Sequence, residues 1–87
     1  YRKKITPFQV ISEFQRNYLG KLDTEILMVF LQNIAYCYLD AKCRLSNDTV
    51  GKIIFINKQR PSQPIVKVGD DIIDLSQQKE IYISELL

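Results

Sequence analysis

The sequence contains no histidine. That removes at once the commonest general base and the commonest transition-metal ligand. Its three glycines are scattered, so no glycine-rich phosphate loop can form. The two cysteines, Cys37 and Cys43, make no CxxC pair; one falls in a predicted helix and the other in a predicted strand, and both read as reduced core thiols. No signal-peptide pattern is present. The longest apolar segment, 26–39, is broken by Gln32 and Asn33 and falls short of the roughly 20 residues of a membrane span. A cytoplasmic protein with no membrane partner is the resulting expectation. The net charge of +2 is local: Arg2, Lys3 and Lys4 supply three of the 12 basic residues, and the remainder is slightly acidic. A uniformly basic nucleic-acid footprint is therefore missing.

What is present is organised around residues 43–57. Two β-rich runs flank Ser46-Asn47-Asp48, and Asn and Asp tolerate the positive φ of tight hairpin turns. The first arm alternates Cys43 and Leu45 with Lys42 and Arg44. The second, Ile53-Ile54-Phe55-Ile56, has no polar interruption and reads as a strand covered on both faces, with Phe55 in the core.

Before this hairpin the chain is helical. Thr6, Pro7 and Gln9 form a capping box, and Phe8, Ile11, Phe14 and Tyr18, with Val10 beside them, give one apolar face up to a stop at Gly20. Asp23 caps a second helix, about 24–38, that is apolar nearly all round. Such a helix wants covering on nearly every side, more than one short helix and a sheet supply. After the hairpin, further short strands are predicted at 64–68, 72–75 and 81–83, separated by a proline-stiffened loop and a turn at Gly69-Asp70-Asp71.

Candidate chemistry is sparse. Asp70, Asp71 and Asp74 form the one acidic cluster, and they read as turn residues rather than a calcium site. Ser46, Ser62, Ser76 and Ser84 have no base to activate them. Lys42, Arg44, Lys52, Lys58, Arg60 and Lys67 lie on strands and their loop, and small β-barrels bind nucleic acid. That use calls for stacking aromatics on the same face. With Phe55 inside an apolar run, the charges read as solvated faces, and no nucleic-acid partner is expected. A helix-turn-helix also fails, because the second helix is too apolar to read a groove.

Several segments resemble the C-terminal end of bacterial HD-GYP-type phosphohydrolases. Residues 1–8, YRKKITPF, resemble the end of the family's "D…DALTS-x-RPY-[KR]" segment and the start of its last conserved helix. Residues 21–25, KLDTE, resemble its "FDP-x" helix start. Residues 50–57 and 60–68, VGKIIFIN and RPSQPIVKV, resemble its "G-x-V-x-x-V-N-x-x-x-P-x-x-P-x-V-x-V" tail, and 73–76 match the "IDLS" that follows. Asp40 and Asp48 depart from the pattern, standing where relatives often carry Gly. The resemblance implies a parent that hydrolyses cyclic di-GMP at a divalent metal cluster of Fe or Mn type. The HD pair, the histidines and the GYP loop of that cluster would precede Tyr1, leaving this chain without a cofactor or catalytic residue of its own. One position carries over: the basic residue after the RPY tyrosine, near the substrate phosphates, is Arg2. An opening Tyr1 rather than Met suits a processed product or a fragment.

The expected fold is α+β, with two antiparallel helices followed by a small antiparallel β-meander or partial barrel of four or five strands. Residues 1–39 would end an HD-type helical domain, and 40–87 would form a small β subdomain. The expected function is that of a non-catalytic C-terminal region completing and shielding the helical catalytic core. Its partner is then the rest of that domain, a cyclic dinucleotide reaches it only through the parent, and the chain alone is expected to form a homodimer. The alternative is a free-standing small β-barrel adaptor that binds a protein.

Overall fold

The computed structural model describes residues 6–18, 20, 21 and 23–87, and the fold is α+β: two helices precede a five-stranded antiparallel sheet. The helices are α1, Pro7–Tyr18, and α2, Thr24–Tyr36; the strands are β1, Lys42–Leu45, β2, Val50–Phe55, β3, Ile65–Val68, β4, Asp71–Asp74, and β5, Ile83–Leu86.

Both helices start where local chemistry says they should. Thr6 and Gln9 cap reciprocally: the Gln9 N–H donates to Thr6 Oγ1 at 3.2 Å, and the Thr6 N–H donates to Gln9 Oε1 at 3.1 Å. Asp23 Oδ1 accepts from the N–H groups of Glu25 and Ile26 at 3.0 and 3.3 Å, satisfying two otherwise orphaned donors of α2. Beyond α1, Gly20 has φ +86°, the left-handed conformation that glycine adopts without strain.

The strand order is β4-β3-β2-β1-β5. Strands β1 to β4 form a meander, and β5 crosses back to pair with β1 on its free side. The sheet is open, with β4 and β5 at its two ends. Asp48 takes φ +69° in the β1–β2 turn, where Asn47 Oδ1 accepts from Thr49 N–H and Oγ1 at 3.2 and 2.6 Å. Asp40, between α2 and β1, takes φ +71°. Short polar side chains tolerate this region better than others do.

One core joins the helices to the sheet. Phe8 and Ile11 of α1 and Leu27, Leu31 and Ala35 of α2 pack with Cys43, Leu45, Ile53, Ile56, Val66, Leu75 and Ile83. Gly51 lies on the close approach of β2 to β3. A Cβ there would sit 2.8 Å from the Lys67 carbonyl oxygen and 2.8 Å from Val68 Cγ2.

Three expectations need correction. Phe55 is not in the core: its register partner is Ile65, and it is 54% exposed. An irregularity between Ile53 and Phe55 adds a residue opposite β3, so Ile53 and Ile56 turn inward and the strand is covered on one face. The helix pair keeps an uncovered apolar side, in line with a second helix that is apolar nearly all round. Phe14 and Tyr18 of α1 are partly exposed, and Ile26, Val29 and Phe30 of α2 more than half exposed, because the sheet covers only one side of the pair. Cys37 is exposed rather than core, its thiol donating to the Asn33 carbonyl at 3.4 Å. Finally, the last strand runs Ile83–Leu86, starting two residues and ending three residues beyond the expected 81–83, because Ser46 takes hold of residues 80–82. Its N–H donates to the Tyr82 carbonyl at 2.8 Å, and its hydroxyl accepts from the Tyr82 N–H at 3.2 Å.

Candidate functional site

The outward side of the helix pair is an apolar surface. Phe14 and Phe30 meet edge to face, 6.4 Å between ring centroids, and Tyr18 lies 5.2 Å from Phe14 on the other side. Phe14, Ile26, Leu27 and Phe30, with Asp23 at the edge, line an open wedge of about 350 Å³. Ile26 is 71% exposed and Phe30 52%. Single apolar side chains on a surface are ordinary, but contiguous ones that share a cleft mark an interaction site. The sequence produces this surface because α2 carries apolar residues on both sides while the sheet takes one.

A second, polar region lies where α1 meets the 57–63 loop. The Gln32 side chain donates to the Lys58 carbonyl at 2.8 Å, and Gln15 donates to that of Gln59 at 3.5 Å, so both helices hold the loop. Arg16 and Arg60 face the same cleft, of about 280 Å³, together with Ser12, Gln15, Ser62 and Gln63. Pro61 and Pro64 are buried within the loop. The loop is further anchored by Asn57, whose Nδ2 donates to the Gln63 carbonyl at 2.6 Å and to Asp74 Oδ1 at 3.1 Å. Asp74 Oδ1 also accepts from the Ser76 hydroxyl and N–H at 2.6 and 3.0 Å. The Ser76 hydroxyl bond is the main reason the Asp74 carboxyl titrates below its ordinary range, with partial burial opposing it.

Of the residues singled out in the sequence, Arg2 lies outside the described residues. Asp70 lies in the β3–β4 turn and Asp71 opens β4, while Asp74 is a hydrogen-bond hub. Among the described residues no group of three His, Cys, Asp or Glu side chains that could hold a metal ion is found. Burial pushes the Cys43 thiol up, only partly opposed by a backbone hydrogen bond with Gly51, which makes it a poor nucleophile. No helix among the described residues is long and apolar enough to cross a membrane.

No protein-family model matches the chain, and comparison with curated proteins and with solved structures finds no match.

Two contributors were invisible in the sequence. Gln15 and Gln32 clamp the loop through backbone carbonyls 44 and 26 residues away, and a glutamine on a helix carries no signal of such a contact. Phe55 was misplaced because a bulge, not its own neighbours, decides which way it points.

Proposed function

We propose that this chain is the non-catalytic C-terminal region of an HD-GYP-type phosphohydrolase, and that the outward side of its helix pair docks against the helices carrying the metal site. The observation that carries the reading is the uncovered apolar wedge of Phe14, Ile26 and Phe30 above the buried Leu27, a surface suited to helix packing rather than to solvent. The motif positions that prompted the resemblance support it in a different way. Gly51 is required by the close approach of β3, Asn57 and Asp74 bridge the loop, and Pro61, Pro64 and Leu75 are buried. Asp40 and Asp48, standing where the family often has Gly, both have positive φ. The signature would thus preserve a fold, not a reaction. On this reading the protein is cytoplasmic, and the cyclic dinucleotide and its metal stay with the parent.

The coding sequence upstream of Tyr1 is the first test. The reading expects an HD pair, a GYP loop and a "DALTS-x-RP" lead-in there; an upstream frame without them refutes it. In that longer protein, Phe30→Asp is expected to lower cyclic di-GMP hydrolysis and loosen the helical domain to proteolysis. Unchanged activity and unchanged proteolysis would show that the wedge faces something else.

A further inference from the structure

The face of the sheet turned away from the helices plays no part in that docking, and its register brings charges together. Lys42 of β1 pairs with Lys52 of β2, and Lys52 pairs with Lys67 of β3. Neighbouring strands stand about 4.8 Å apart, so three exposed ammonium-bearing side chains lie side by side within about 10 Å. Like charges directly opposite one another destabilise a sheet. The one carboxylate within ion-pair distance of the row among the described residues is Asp40, 3.7 Å from Lys52 Nζ, and both partners are largely exposed. Farther along β1, Glu85 neutralises Arg44 at 3.4 Å. Asp74 shares the face but is occupied by Asn57 and Ser76.

Phe55 lies on the same face. It pairs with Ile65, which is two residues from Lys67 on β3, and it follows Lys52 by three residues on β2, about 10 Å away. Its ring opens into a cleft of about 420 Å³ flanked by Lys58, Arg60, Gln59 and Gln77. Neither Lys58 nor Arg60 has a carboxylate within 4.0 Å among the described residues. A flat aromatic surface, free side-chain amides and cations on both sides make a combination that neither a charge row nor an apolar patch supplies alone.

We propose that this sheet face binds single-stranded nucleic acid. Phosphates would run along Lys42, Lys52 and Lys67, and one base would stack on Phe55, its edge within reach of the Gln59 and Gln77 amides. An unpaired base is required because a base within a duplex offers no free face to the ring. The expectation that no nucleic acid binds rests on the missing uniformly basic footprint and on Phe55 lying inside an apolar run; the exposure of Phe55 removes the second ground, and the lysine row supplies a local footprint in place of a uniform one.

Fluorescence anisotropy with the full chain and short labelled oligouridine and oligothymidine at low salt tests the proposal. Both are expected to bind more tightly than the matching duplex, and comparing the two shows whether the 2′-hydroxyl matters. Phe55→Leu is expected to weaken binding about 5- to 150-fold while leaving the salt dependence alone. Lys52→Gln should lower the slope of log K against log salt by about 0.7. Both residues are exposed, so circular dichroism should show an unchanged fold. Three results would overturn the proposal: no binding at low salt, affinity indifferent to Phe55→Leu, or full competition by inorganic tripolyphosphate. The last two would leave only a charge surface for polyanions.

Discussion

Asn57 and Asp74 lie 17 residues apart in sequence and meet through a 3.1 Å hydrogen bond that ties the proline loop to the end of β4. Asp74 accepts there as a carboxylate and is held below its ordinary pKa, chiefly by the Ser76 hydroxyl. A lowered folded-state pKa contributes stability above the unfolded value of about 3.9, and that contribution disappears as pH falls through the folded value. Asp74→Asn is therefore expected to be less stable than the parent chain in urea at neutral pH. The gap should close in strong acid. An equal gap at both extremes would mean that the charge of Asp74 contributes nothing.

A paired substitution on β2 checks the bulge. Ile53→Ala removes a fully buried side chain and should cost about 2–5 kcal/mol, whereas Phe55→Ala should cost less than about 1 kcal/mol, as exposed positions do. Reversed costs in chemical denaturation would place Phe55 inside and abolish the nucleic-acid face along with it.

Gly51→Ala should destabilise the chain by about 1–3 kcal/mol, because the added methyl meets the Lys67 carbonyl and Val68 at 2.8 Å and the backbone has little room to yield. Thermal unfolding gives the answer. A neutral result would show that β2 and β3 separate easily, which their pairing on both sides of the bulge argues against.

The uncovered helix side leads to a prediction about association. At micromolar concentration the chain alone is expected to sediment as a two-fold dimer through Phe14, Ile26 and Phe30, and Ile26→Asp should return it to a monomer without unfolding it. A parent chain that is monomeric from the outset would show that the apolar wedge tolerates water, and the case for a missing helical neighbour would weaken.

The features legible in the sequence were those fixed by local hydrogen bonding. Thr6, Gln9 and Asp23 cap their helices, and Asn47 and Asp48 close the first hairpin, because each acts on backbone within three residues. The misses all depended on distant partners. The direction of Phe55 is set by how β2 meets Ile65, the shift of β5 by Ser46, and the lysine row by two registers at once. No periodicity within β2 shows that Lys52 stands between Lys42 and Lys67. For the helix pair, the sequence shows how much of α2 is apolar but not which side the sheet takes.

The return of β5 to β1 bears on the order in which the sheet assembles. Strands β1 to β4 each meet a neighbour across a short connection, but Arg44 and Glu85 are 41 residues apart in sequence. Closing that loop costs more chain entropy than closing any hairpin turn, and its contacts reward the cost only at the end. The meander can therefore form first and present β1 as an open template, with β5 docking last. In native-state hydrogen exchange the amides bridging β1 and β5 would open ahead of those between β2 and β3, making the seam beside Arg44 the place where this sheet comes apart.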